Sequence, residues 1–125
     1  MDQEHIATFT RRITNGNKSE IIVVLYDMII VDLDDALEGI NNGDQQEYME
    51  ALLHASEVLG HLQEALDFEY DMSKDLYGLY DFSKRSIAKS MYTGREEGIL
   101  EAKKVLEPLA EAFKEVAKAD NSEPL

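Results

Sequence analysis

The sequence predicts an all-α protein: an antiparallel four-helix bundle with a short N-terminal helical segment. Three observations carry that expectation. Apolar residues recur at three- and four-residue spacing through most of the chain, the period of a helix face. Capping residues followed three positions later by an acid (Asn17 and Glu20, Asp44 and Glu47, Thr93 and Glu96) stand before periodic stretches, as capping boxes do. The connections between those stretches are short, which favours antiparallel neighbours. The β-branched run Ile21–Val24 is brief and continues into helical spacing, so it reads as helix.

Residues 1–16 form an N-terminal segment in which Gln3–Arg12 is a short helix, with Ile6, Phe9 and Ile13 as its apolar residues. The turn Asn15-Gly16-Asn17 lets that segment fold back and cover the bundle. The first long helix runs from about Lys18 to Asn41, and Asn42-Gly43-Asp44 closes it with Gly43 in a left-handed cap. Asp44 caps a second helix reaching about Leu66. A third is capped by Asp71 or Ser73 and ends near Tyr92; Thr93 opens a fourth that reaches about Lys118. Pro108 falls inside that last pattern. It predicts a kink or break, or else marks the first residue of a separate helix. The bundle thus occupies residues 17–119, and 120–125 is a polar, frayed tail.

A length of 125 residues suits one domain with its own core. There is no cysteine, which removes disulfides and thiolate metal sites. A net charge of -14 repels phosphate backbones and anionic membrane surfaces, so neither nucleic acid nor membrane insertion is expected. The start MDQEHIATF lacks the basic-then-apolar order of a signal peptide, and the expectation is a soluble cytoplasmic protein.

The most apolar stretch is Ile21–Val31, where only Asp27 is charged. Eleven residues are too few to span a bilayer, which takes roughly 20. Along the helix one stripe is Ile22, Leu25, Tyr26, Ile29, Leu33, Ala36, Leu37 and Ile40, an ordinary core face. A second stripe, Ile21, Val24, Met28 and Val31, lies roughly opposite and then turns polar at Asp35 and Glu38. Three things can cover it: central burial in the bundle, the chain's own Ile6, Phe9 and Ile13, or a partner.

The second helix carries Tyr48, Leu52, Ala55, Leu59, Leu62 and Leu66 on its core side, and Glu50, His54, Glu57, His61 and Glu64 on the other. His54 and His61 with Glu57 invite a metal reading. Each histidine, however, follows a glutamate by four residues, which suits pairing on a wet face. No histidine has a glutamate three residues before it, as a di-metal carboxylate bundle would require. No nucleophile elbow or glycine-rich phosphate loop occurs. We therefore expect no enzyme, no metal and no cofactor. The third helix turns Leu76, Leu79, Tyr80, Ser83, Ile87 and Met91 to the core and leaves Tyr77 and Phe82 at its flanks as candidate anchors for a partner.

Several segments, in order, resemble the FliS-type flagellar export chaperones. Asn17–Asp27 is similar to that family's capped, oily helix entry ending in Leu-Tyr-Asp, and Asn42-Gly43-Asp44 to its first hairpin turn. Ala55, Leu59, Leu62 and Leu66-Asp67 match its second helix. Leu76 with Leu79-Tyr80-Asp81-Phe82 and Arg85 resembles its third, and Val105, Leu106, Leu109 and Phe113 its last. Met28 stands where the family usually has glycine, Phe82 for tyrosine, Phe113 for tryptophan and Ser86 for a second arginine; Pro108 is unusual for it. The resemblance implies a cytoplasmic chaperone that binds the disordered C-terminal region of flagellin, prevents early polymerisation and delivers it to the type III export apparatus. It implies a monomer or weak homodimer with a client wrapped along apolar grooves. Ile21, Val24, Met28, Val31, Tyr77 and Phe82 would be the client-binding residues, with Ile6, Phe9 and Ile13 as the cover. The competing reading is a helical interaction or self-assembly module without a flagellin client.

Overall fold

A computed structural model describes residues 1–122, with side-chain surroundings through Ala119. Among these residues there are five helices and no strand: α1 Gln3–Asn15, α2 Lys18–Asn41, α3 Gln45–Glu64, α4 Met72–Thr93 and α5 Glu97–Ser122. The chain is all-α.

Local chemistry sets most of the boundaries. The Asp2, Asn17 and Asp44 side chains each accept a backbone N–H three residues on, from His5, Glu20 and Glu47, so orphan donors at three helix starts are satisfied. Gly43 and Gly94 take positive φ (68° and 69°), the left-handed region that lets a chain leave a helix. Gly94 also revises the reading of the last hairpin. It ends α4 by donating its N–H to the Ser90 carbonyl, so Thr93 belongs to the outgoing helix and cannot cap the next. Its hydroxyl instead accepts the Arg95 N–H.

The start of α4 differs as well. Asp71 makes no side-chain cap bond, and Ser73 is buried inside the helix with its Oγ donating to the Asp67 carbonyl at 2.6 Å. Helix α3 stops two residues short of Leu66. Helix α5 passes through Pro108 without a break and continues to Ser122, so neither the break nor the separate last helix occurs. Pro108 and Lys104 are both exposed; water can serve the Lys104 carbonyl that loses its i+4 donor, which lowers the cost of the proline. Of the expected frayed tail, residues 123–125 lie outside the described residues.

Helix α2 packs on α3 and α5, α4 packs on the same two, and α1 lies on α2. Each long helix feeds the core with fully buried side chains: Tyr26, Ile29 and Leu33 from α2, Leu52 and Leu59 from α3, Tyr80 and Ile87 from α4, Ile99 and Leu106 from α5. Each such side chain contributes about 1.5–3 kcal/mol by leaving water. Of the residues expected on the core side of α4, Tyr80 and Ser83 are buried as the spacing predicts, whereas Leu79 is 36% exposed. The α4–α5 seam is unusually close. Ser83, Ser86 and Ser90 are buried along it, Ser90 Oγ accepts the Ile99 N–H at 3.0 Å, and a Cβ on Gly98 would lie 2.0 Å from the Ser86 carbonyl oxygen.

Candidate functional site

Helix α1 is laid against the second stripe of α2, and two ion pairs fix its direction. The Met1 ammonium lies 2.9 Å from Asp35, and Arg12 lies 3.0 Å from Asp27. As α1 advances, its partners on α2 move back toward that helix's start, so the two run antiparallel. Asp27, the lone charge of the oily run, is also met by Lys114 of α5 at 3.4 Å. It therefore connects α1 and α5 through one carboxylate.

Between α1, α2 and α3 remains a cleft of about 550 Å³ lined by Ile6, Phe9 and Ile13 from α1, Met28, Asp32 and Asp35 from α2, and Ala51 and His54 from α3. Phe9 is buried (6% exposed), whereas Ile6 and Ile13 keep 50% and 37% of their surface in water. Val24 continues the Met28–Asp32 line one turn earlier. The expectation that it contacts a client meets a side chain that is fully buried and offers no free surface in this fold. Phe9 and Val24 are buried outside the main core. Met28, Ile21 and Val31 are partly buried.

The floor of the cleft holds a group absent from the sequence reading. Asp32 is 1% exposed, and its Oδ2 lies 2.5 Å from His54 Nδ1. Burial pushes the Asp32 carboxyl up to about 6, against the lowering effects of the His54 bond and charge and of the N-terminal ammonium. The spacing predicts His54 on a wet face with Glu50 and Glu57; it leans across to Asp32 of α2 and is half buried. The signal available was the spacing Val24, Met28, Asp32, which puts a carboxylate on an apolar line. Among the described residues no three His, Asp or Glu side chains gather as a metal ion would need.

Tyr77 and Phe82 lie on α4, at 46% and 38% exposure. The Tyr77 ring packs against Phe68 of the α3–α4 connection, with centroids 6.0 Å apart. Neither lines the α1 cleft, so the six named residues do not form one surface. Phe68, at 53% exposure, is an apolar contact the periodicity argument missed because it belongs to a loop.

No described helix is long and apolar enough to cross a membrane. As a class, the described residues form an all-α scaffold whose first long helix is covered by the chain's own N-terminal helix. The particular family follows from the sequence: the model for flagellar protein FliS matches residues 2–120, and the chain belongs to that family. Membership carries a flagellar chaperone role with a flagellar protein as partner. No curated protein matches the chain.

Proposed function

We propose that this protein is a cytoplasmic export chaperone for flagellin. It binds the disordered C-terminal region of the client, which folds into helices along apolar grooves, and so keeps subunits from polymerising before type III export. The scaffold for this is an antiparallel four-helix bundle, supported by the packing of α2 and α4 on the same two neighbours. The observation that carries the reading is the α1 seam. A strongly apolar side of α2 is shielded by a helix that buries Phe9, leaves Ile6 and Ile13 half wet, and is tied by two partly exposed ion pairs. Such pairs contribute about 0–1 kcal/mol each, so Phe9 is the main anchor of the cover, and a client helix that fills the same place with its own apolar side chain can replace it. The protein acts by binding, as a monomer or weak homodimer, with no turnover and no cofactor. The loaded complex is what meets the export apparatus.

Titration with a flagellin C-terminal peptide should give a dissociation constant of micromolar or tighter, about -8 kcal/mol or better. Met28→Glu and Ile21→Glu should weaken it at least tenfold while the circular dichroism of the bundle persists. A peptide that fails to bind the intact protein, or light scattering showing an obligate dimer that buries this side of α2, would remove the chaperone reading in favour of self-assembly.

A further inference from the structure

The side of α2 that α1 covers is mostly apolar, and Asp32 is the carboxylate buried within it. It lies in the wall of the cleft between α1, α2 and α3, together with Met1, Ile6 and Phe9. Asp32 is 1% exposed, Phe9 6% and the Met1 side chain 8%. The start of the chain and the first turns of α1 therefore stand between this carboxyl and water.

The groups that face Asp32 come from three directions. From α3, His54 Nδ1 approaches its Oδ2 at 2.5 Å, and Glu47 and Glu50 line the same cleft. From α2 comes Asp35. From the N-terminal segment come Asp2 and the Met1 ammonium, which is already engaged with Asp35 at 2.9 Å. Carboxylates at Asp2, Asp35, Glu47 and Glu50 thus surround the cleft, against one ammonium and one imidazole. Burial has the largest effect on the Asp32 carboxyl and raises it, Asp35 adds to the rise, and His54 and the ammonium oppose it. Lifting α1 admits water to the carboxyl and removes much of the obstacle to its charge.

We propose that Asp32 and the end of α1 above it form a proton-controlled latch: with the carboxyl protonated α1 stays down, and with the carboxyl charged α1 lifts more readily. The direction follows from linkage, since a proton held more tightly with α1 down must favour the down state. The preference is full below the ordinary carboxylate value of 3.8 and is lost as pH rises through about 6. Two other groups at the seam titrate outside that window. The bond to Asp35 raises the Met1 ammonium from 8.0, and the His5 backbone bond lowers Asp2 from 3.8. Acid thus keeps the seam shut, and neutral pH lets it open. The latch deepens the reading of α1 as a removable cover. It needs no client, so a failed flagellin titration leaves it standing.

Amide hydrogen exchange on the full-length protein tests it, with each rate divided by the intrinsic rate at its pH so that the ratio reports opening alone. Protection of the α1 amides should fall about fivefold to tenfold from pH 5 to pH 7. Asp32→Asn, which keeps the shape and cannot titrate, should hold α1 protection constant within twofold, while the amides of α3 and α4 show that the bundle stays folded. Glu47→Gln and His54→Gln should keep the dependence; its loss in either one, with Asp32→Asn still pH-dependent, would assign the proton elsewhere and overturn the proposal. So would α1 protection in the native protein that does not change with pH, since Asp32 would then serve the bundle and not the cover. A second measurement follows the Asp32 carboxyl carbon by NMR. Phe9→Ala, which lifts α1, should move its titration down toward the ordinary aspartate range, and an unchanged titration would show that α1 is not what buries it.

Discussion

Asp32 is a carboxylate on a line of α2 that otherwise carries Val24 and Met28, and the fold buries it to 1% exposure beside His54. Its carboxyl titrates at about 6 in the folded chain, against about 3.9 for a free aspartate. The folded state therefore holds this proton more tightly than the unfolded state, and the group's contribution to stability falls as pH rises between those values. The loss is on the order of 3 kcal/mol once the carboxylate is fully charged. Asp32→Asn does not titrate, so the melting temperature of the native protein relative to that variant should fall from pH 4 to pH 7. Scanning calorimetry across that range checks it, and a relative rise would mean that the His54 bond outweighs burial. His54→Ala should cost about 3 kcal/mol at neutral pH, because it leaves a buried charge without its partner. Periodicity in the sequence carries the second stripe from Met28 to Val31 and Asp35 and passes Asp32 by. It did not reveal the pairing, since His54 lies 22 residues away and follows Glu50 at a spacing that also suits a wet helix face.

The helices were legible where local chemistry decides them. Asn17 and Asp44 hold their caps as the spacing predicts. At Thr93 the same spacing misleads, because the left-handed Gly94 competes for the position and ends α4 first. How α1 is held is a question of tertiary structure. Phe9 is its buried side chain, and truncating a buried phenylalanine costs about 3–5 kcal/mol, more than two partly exposed ion pairs at about 1 kcal/mol each return. Phe9→Ala should therefore release α1 alone, and a free helix of 13 residues is marginal in water. Hydrogen exchange should show α1 amides at near-unprotected rates while α2 to α5 keep their protection; unchanged α1 protection would place its anchor elsewhere. The α4–α5 seam behaves oppositely. In Gly98→Ala the new Cβ would sit 2.0 Å from the Ser86 carbonyl oxygen, so the two helices must separate and the Ser90–Ile99 bond is strained. Overpacking against backbone at such a contact should cost about 3 kcal/mol, lowering the melting temperature by roughly 10 °C.

At the scale of the whole molecule the deciding quantity is charge. The chain carries 26 acids against 12 lysines and arginines, so even if every base found an acid, a large excess of carboxylates would face one another across the surface. The pairs that form are mostly exposed or half exposed, such as Lys118–Glu115 and Arg85–Asp81, and each contributes at most about 1 kcal/mol. Salt weakens both these attractions and the long-range repulsion. Repulsion is the larger sum at a net charge of -14, and it acts against the compact state. Raising sodium chloride from about 10 mM to about 200 mM, which shortens the screening length from roughly 30 Å to below 10 Å, should therefore raise the melting temperature by several degrees. The effect should be the same for chloride salts of sodium and potassium, because screening depends on ionic strength rather than on a bound ion. A fall in melting temperature over that range would mean that the ion pairs, among them Arg12–Asp27 and Lys114–Asp27, contribute more than the general repulsion.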